Sequence, residues 1–376
     1  MSSVWITGLG AVTCLGGTAA DLWRATLENR TGIAGGIGPV ADRFVTPEFN
    51  DNRALAFAVR ASGEAMAQAG WDELRPDDGL ILATTTGLFL QWDRAFTEFV
   101  AGRMEREVFR RDFLHQPIGE LTKFLARELG HRGPSTLLTS ACSASTQALA
   151  LGALWIRQGR ARRCLVVGVE VLCDLTREGF RSLQLLSDER AKPFDRHRGG
   201  INLSEGAAAL CLDTDGARAL AGLAGSGLST DAFHMTGPQP GGQGSERAMR
   251  QALRQAGIGA RDVEWVHAHG TGSMANDLAE GCAIARLCGE YRPWVSSTKW
   301  VHGHALAASG ALEAVLIAQA MRAGVIPRTR GLEQPDAGIP VRHPAKDMPY
   351  RGGAVLKNTL GFGGTNASLV FTAATR

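Results

Sequence analysis

The stretch Thr139-Ser140-Ala141-Cys142-Ser143-Ala144-Ser145 sets one cysteine among small residues. A β-prone run, residues 136–139, leads in. An apolar run of helical period leads out through Ala148, Leu149, Leu151, Ala153, Leu154 and Ile156. Small residues suit a sharp strand-to-helix turn. A cysteine there would sit at a helix N-terminus, where free N–H groups and aligned peptide dipoles favour a thiolate. That environment makes a nucleophile of a thiol whose free pKa is about 8.5. Taken alone, an isolated cysteine is more often buried and inert.

Three later stretches carry further chemistry. Val266-His267-Ala268-His269-Gly270-Thr271-Gly272-Ser273 brings two imidazoles to the end of a strand-like run, with Asn276, Asp277 and Glu280 behind them. Ser297-Thr298-Lys299-Trp300-Val301-His302-Gly303-His304 brings an ammonium and two more imidazoles, then Ala307-Ala308-Ser309-Gly310. Asn358-Thr359-Leu360-Gly361-Phe362-Gly363-Gly364-Thr365-Asn366 is a glycine-rich turn near the C-terminus.

The elements that must position these groups alternate between strand and helix, which predicts a layered α/β fold. Residues 4–10 read as a buried strand breaking into a glycine turn. Thr13 stands where a dinucleotide fingerprint needs its third glycine. Residues 21–27 predict a short helix, 32–47 a loop, 54–69 an Ala-rich helix stopped by Gly70, and 80–84 a strand. Residues 89–125 read as helical with a break at Pro117. Their Trp92, Phe96, Phe99, Phe109 and Phe113 would pack a core or an interface. Strands at 164–169 and 207–212 close a first half near Asp215. In the second half, helices are expected at 245–257, 276–287 and 304–322. Strands are expected at 263–269, with both histidines on one face, and at 294–297, 354–357 and 367–371. The predicted division is residues 1–215, with the cysteine, and 216–376, with the histidines and the glycine-rich turn.

Bulk composition narrows the function classes. The chain has 376 residues, 44% hydrophobic and 20% charged, enough for a large core in two domains or two fused halves. A net charge of +3 is too small to suggest nucleic acid. Five of the 40 basic residues are lysine and 35 are arginine. The clusters around Arg103–Arg111 and Arg160–Arg163 form a solvated face or meet an acidic partner through forked hydrogen bonds. The seven cysteines form no CxxC pair and no zinc-finger spacing, so no metal is expected and the compartment reads as reducing. The N-terminus lacks a signal-peptide pattern, and no apolar run approaches the roughly 20 residues of a membrane span. A soluble cytoplasmic protein without membrane insertion is expected.

The four stretches, in this order and spacing, closely resemble the β-ketoacyl-acyl-carrier-protein synthases, the elongating ketosynthases of the thiolase superfamily. The resemblance spans nearly the whole chain. It includes Ile6-Thr7-Gly8-Leu9-Gly10-Ala11-Val12-Thr13, Lys192-Pro193-Phe194-Asp195-Arg196-His197-Arg198-Gly199, Ser204-Glu205-Gly206-Ala207, and His234-Met235-Thr236 with Pro238. It implies two related α/β halves in a five-layer αβαβα sandwich. The implied reaction is a decarboxylative Claisen condensation between a Cys142-bound acyl group and a malonyl thioester. His269 and His304 would steady the enolate through Nε2–H donors. His267 and His302 are expected to be buried supports. Lys299 would pair with Glu280, with Asp277 as a second acid. Thr271 and Ser273 would bind the carrier's pantetheine arm. Phe362, flexed by Gly361 and Gly363, would gate the cysteine, its N–H joining that of Cys142 in an oxyanion hole.

The same resemblance implies an acyl carrier protein as partner, a homodimer or a heterodimer with a chain-length-factor-like subunit, and no cofactor. A thiolase would carry a second cysteine near the C-terminal turn, whereas the last one here is Cys288. A non-catalytic chain-length partner would lack the nucleophile. Starter-specific synthases typically have Asn where His304 stands. The stretch 85–116 matches the family's acyl-tunnel region poorly, residues 200–205 depart from the commoner form, and Cys14 stands where Pro is frequent. The pathway implied is fatty-acid or specialised polyene or polyketide biosynthesis, and these departures point toward the specialised one.

Overall fold

The structure, a computed structural model, describes residues 3–45, 47–49, 52–114 and 118–374. The first half runs β1 (Trp5–Thr13), α1 (Ala19–Leu27), β2 (Ile37–Gly38), α2 (Arg53–Ala69), β3 (Gly79–Ala83), α3 (Phe89–Val100), α4 (Arg106–Leu114) and α5 (Glu120–Glu128). It continues through β4 (Ser135–Leu138), α6 (Ala144–Arg157), β5 (Arg163–Glu170), α7 (Asp174–Ser182), β6 (Leu203–Ser204) and β7 (Gly206–Asp213). The second half runs β8 (Ala221–Thr230), α8 (Gln243–Ala256), β9 (Val263–His267), α9 (Met274–Cys288), β10 (Trp294–Ser296), α10 (Lys299–His302) and α11 (Ser309–Ala323). It ends with β11 (Val325–Ile326), β12 (Met348–Pro349), β13 (Ala354–Gly361) and β14 (Thr365–Thr372).

Ten strands form one sheet in the order β10-β9-β13-β14-β8-β1-β7-β5-β3-β4. Each half supplies five neighbouring strands, and the halves join where Trp5 of β1 pairs with Gly222 of β8. Read outward from that seam, both halves follow one plan. The first two pairings are antiparallel, β1-β7-β5 and β8-β14-β13. The next two are parallel, β5-β3-β4 and β13-β9-β10. The expected kinship of the halves is therefore present in their topology.

The glycines of β1 do not break it, contrary to the predicted turn. A Cβ on Gly8 would lie 2.0 Å from the Ala65 carbonyl oxygen, and one on Gly10 1.9 Å from that of Ala61. The glycines instead let α2 lie directly on the strand. The glycine-rich β8, which the sequence pattern did not reveal as a strand, repeats the arrangement. There a Cβ on Gly225 or Gly227 would meet the Ala252 or Ala248 carbonyl oxygen of α8 at 2.2 or 2.0 Å.

Helices α2 and α8 thus cover the outer faces of the two half-sheets, over separate apolar cores. Helices α6 and α11 lie between the half-sheets and contact strands of both. The resulting order is αβαβα, with a central core rich in alanine. Residues 306–323 are apolar enough to cross a membrane by length and composition, but 83% of that window is buried in this middle layer.

Three further expectations change. The 89–125 region is three helices, with an additional break at Gly102 in the left-handed region (φ 69°). Phe99 stacks on Phe109 at 4.6 Å and Trp92 meets it edge-on, so these aromatics pin α3 to α4. Pro117 and the side chain of Phe113 lie outside the described residues. The helix expected from residue 304 starts at Ser309, because Gly303 and Leu306 take positive φ and His304 bridges to Leu203. Helix α7, which carries no buried residue, was not among the expected elements.

Gly10→Ala should therefore destabilise the fold by roughly 1–3 kcal/mol through overpacking against α2. Gly63→Ala, inside α2 with open space around its Cβ, should stabilise it by about 1 kcal/mol. Denaturant midpoints read both, and equal shifts would contradict the close-approach account.

Candidate active site

The reactive groups sit at the carboxyl ends of the parallel strands, where the chain leaves the sheet and crevices form. Cys142 follows β4, His269 follows β9, Lys299 and His304 follow β10, and Phe362 follows β13. The Cys142 turn is sharp. Ala141 adopts the left-handed conformation (φ 48°), and the Ser143 and Ala144 N–H groups return to the Ser140 and Ala141 carbonyls. Helix α6 starts two residues after the cysteine.

Burial pushes the Cys142 thiol up to about 11, against the Lys299 charge and the N–H groups of Phe362 and Cys142, which pull it down. The resting group is thus a thiol, not the thiolate that the helix N-terminus suggested. Desolvation outweighs the dipole at a residue that is 4% exposed.

His269 and His304 lie beside it. Their ring centroids are 5.2 Å apart and the planes nearly perpendicular. The sulfur and one nitrogen from each ring all lie within 4.8 Å of one another. His304 Nδ1 meets Ser309 Oγ at 2.9 Å, which leaves Nε2 for the cavity. His269 Nδ1 lies 3.3 Å from Lys299 Nζ, and the same ammonium donates to the His269 carbonyl at 2.7 Å. An ammonium only donates, so Nδ1 accepts and the His269 proton is assigned to Nε2. Burial, then the Lys299 charge, hold both imidazoles well below their ordinary pKa of 6.5, so both are neutral.

Lys299 does not pair with Glu280. Its ammonium pairs with Glu313 of α11, which also binds Lys357 of β13 at 2.7 Å. Burial alone would raise the Glu313 carboxyl, but the two lysines hold it well below the usual range. Glu280 instead accepts from the N–H groups of His269 (2.7 Å) and Gly270 (2.8 Å) and from Asn358 Nδ2 (2.7 Å). It fixes the backbone that carries His269, and burial pushes its carboxyl up to about 7. Asp277 serves the adjoining loop, accepting from Thr271 N–H at 3.0 Å and Phe194 N–H at 2.8 Å.

The remaining histidines are supports, as expected. His267 Nε2 and His302 Nε2 flank Thr298 Oγ1 at 3.1 and 3.0 Å. Burial lowers them to about 3 and about 4. Strand β9 stops at His267, so the two histidines predicted to share its face have different neighbours.

A cavity of about 300 Å³ opens onto the Cys-His-His cluster. Thr271, Ser273, Gly361 and Phe362 line it with the three reactive residues. Asp277 and Gly363 do not. Gly363 (φ 78°) forms the bend behind Phe362, its N–H donating to the Met235 carbonyl at 2.7 Å. The Phe362 ring stacks on Phe180 at 5.2 Å, and both line the cavity. Thr271 Oγ1 and Ser273 Oγ lie 3.1 Å apart, within reach of a polar arm in the cavity.

Sequence reasoning missed Phe180, Glu170, Glu313 and Lys357, and gave Asn276 no role. Buried Glu170 accepts from the N–H groups of Thr85, Thr86 and Ala307, and so ties the ends of β3 and β5 to the segment before α11. A signal existed for the charged residues. Glu313, Lys357 and Glu170 each interrupt an apolar run, and a charge inside such a run must find a partner. Phe180 and Asn276 carried no such mark.

Comparison with known proteins agrees with this geometry. Residues 50–216 match the family model described as Beta-ketoacyl synthase, N-terminal domain, and residues 220–333 match Beta-ketoacyl synthase, C-terminal domain. Nodulation protein E of Rhizobium meliloti (strain 1021) is 34% identical, the match covering 98% of both chains. The 3-oxoacyl-[acyl-carrier-protein] synthase 2 of Synechocystis sp. (strain ATCC 27184 / PCC 6803 / Kazusa) is 31% identical, covering 98% of this chain and 97% of that one. Among solved structures, the ishigamide ketosynthase/chain length factor superposes with a TM-score of 0.91 at 29% identity, covering both chains fully. By sequence and by thiolase-like fold, this chain belongs to the β-ketoacyl synthase family.

Proposed function

We propose that the chain condenses a Cys142-bound acyl group with malonyl-acyl-carrier-protein, releasing carbon dioxide and a β-ketoacyl-acyl-carrier-protein. One observation carries the reading. A sulfur and two neutral imidazoles lie within 4.8 Å of one another, beside an open cavity that also bears two hydroxyls.

In the first half-reaction the Cys142 sulfur attacks the incoming thioester carbonyl. The oxyanion forms toward the N–H groups of Cys142 and Phe362. Its collapse expels the carrier's thiol, which takes the proton that Cys142 loses. In the second, the malonyl carbon–carboxyl bond breaks and carbon dioxide leaves. The electron pair passes to the thioester oxygen as an enolate, which the Nε2–H groups of His269 and His304 hold. The enolate carbon attacks the acyl-Cys142 carbonyl, a carbon–carbon bond forms and the cysteine sulfur departs as a thiolate, which takes one proton from water to restore the resting thiol. Lys299 keeps the His269 donor aimed by occupying Nδ1. Thr271 and Ser273 hydrogen-bond the pantetheine arm, and Phe362 covers the sulfur between substrates. Glu280 and Asp277 act by holding the backbone of the 269–272 loop.

No cofactor enters this scheme. A metal on His269 Nε2 would require the ring proton at Nδ1, facing the Lys299 ammonium, so the tautomer favours an anion-binding role. The complete Cys-His-His set argues against a non-catalytic chain-length subunit. No cysteine near the glycine-rich turn supports a thiolase. The acyl carrier protein is the partner. A heterodimer with a chain-length-factor-like subunit is supported by the likeness to a ketosynthase/chain length factor, and a homodimer is the alternative assembly. Specialised polyene or polyketide assembly in the cytoplasm is the proposed setting, resting on the departures at residues 85–116 and 200–205.

Incubation with an acyl-carrier thioester should place one acyl adduct on Cys142 by mass spectrometry, absent in Cys142→Ala. An adduct that survives this change would overturn the assignment of the nucleophile. His304→Ala should load acyl groups normally yet lose roughly 10²–10³-fold in condensation, the scale for one lost oxyanion donor. Full turnover would remove His304 from the mechanism. Burial and Lys299 hold both imidazoles well below their ordinary pKa of 6.5. Decarboxylation should therefore show no acid limb near pH 6.5, and a limb there that disappears in His269→Ala or His304→Ala would contradict the neutral pair.

A further inference from the structure

Only five of the 40 basic residues are lysine, yet two of them are fully buried on one carboxylate. Lys299 reaches one oxygen of Glu313 and Lys357 the other, the latter at 2.7 Å. Lys357 Nζ also donates to Thr359 Oγ1 at 2.6 Å and to the Asn358 carbonyl at 3.3 Å. Thr359 Oγ1 in turn meets Thr146 Oγ1 of α6 at 3.0 Å, one turn from Cys142. A single lysine would neutralise Glu313. Burying a second ammonium is costly, and it leaves the cluster with one net positive charge.

Among the described residues, no carboxylate other than Glu313 pairs with either ammonium. His267, His302, His269 and His304 are neutral. Glu280 is spent on the His269 and Gly270 N–H groups and Asn358, and Asp277 on those of Thr271, Gly272 and Phe194. Glu170 accepts from the N–H groups of Thr85, Thr86 and Ala307, and its charge raises the Cys142 thiol, which opposes the two lysines.

We propose that Lys357 is a positioning residue for the reaction: by sharing Glu313 it leaves the Lys299 charge incompletely neutralised and so sets a fixed positive field behind Cys142 and the His269–His304 pair. Both reacting anions, the cysteine sulfur and the enolate, form in that field. In a water-excluded site a preoriented charge acts without reorganising as they form. Lys357 itself touches no substrate. The consequence for turnover rests on the condensation reading above; the effect on the sulfur does not.

The test is the pH dependence of Cys142 alkylation by iodoacetamide, read by peptide mass spectrometry at Cys142 so that the other cysteines do not interfere. Lys357→Met takes the cluster from +1 to zero. The alkylation profile should move to higher pH, about tenfold slower at a given pH for a one-unit shift. Condensation kcat should fall with KM little changed. The double variant Lys357→Met with Glu313→Gln restores +1 on Lys299 alone, and should move the profile back toward that of the unaltered protein.

A purely structural lysine predicts the reverse, with the double variant no better than the single one. A single-variant profile that coincides with the unaltered protein, or a double variant displaced further upward, overturns the proposal. Should Lys357→Met fail to fold, Lys357→Gln keeps a donor to Thr359 Oγ1 and is read against the same profile. Alkylation needs no acyl substrate, so failure of the condensation reading would show instead as a missing acyl adduct.

Discussion

Cys142 and His304 belong to different halves of the chain, and they meet because the first turns of α6 and α11 touch. A Cβ on Gly310 would lie 2.3 Å from Thr146 Oγ1, and the Ala311 N–H donates to Ser145 Oγ at 2.9 Å. No larger residue fits at Gly310 without parting the helices. Each helix follows the outermost strand of its half, α6 after β4 and α11 after β10, so the two turns are equivalent in the two topologies. One turn of the first half carries the sulfur. The matching turn of the second carries an imidazole. The small residues of the middle layer are the means by which a repeated plan yields a two-component site.

That close contact creates an electrostatic problem, which the buried ions resolve. The site must hold anions briefly, away from water, so it needs a positive charge that stays buried. Lys299 and Lys357 supply it and Glu313 keeps it from being prohibitive. Burial, and after it the Lys299 charge, keeps the imidazoles neutral, and Lys299 aims the His269 proton at the cavity. It does not by itself ionise Cys142. The thiol stays protonated at rest because its burial costs a thiolate more than Lys299 and two N–H groups return.

The glycines of β1 and β8 show where local rules mislead. Gly8 and Gly10 read as a turn because glycine disfavours strands, and β8 went unrecognised for the same reason. In the fold those positions are where helix backbone presses on strand backbone, so propensity yielded to tertiary contact. The predicted Lys299–Glu280 pair failed for a related reason. Glu280 lay near in sequence to His269 and was indeed drawn to it, but to its N–H rather than to its lysine. Glu313 stood as the sole carboxylate in an apolar helix, with no spacing to name its partner.

The strand–helix alternation and a nucleophile candidate at Cys142 were readable from local period and residue type, which are properties of the chain in one dimension. The roles of His269 and His304 and the kinship of the two halves came from the resemblance of the motifs, in order and spacing, to the ketosynthases. The pairing of charges, the protonation of Cys142 and the tautomer of His269 were decided by the tertiary structure. Each depends on which groups lose water together and which neighbour then faces them. Those distances exist only once α6, α11, β9 and β13 have closed on one another.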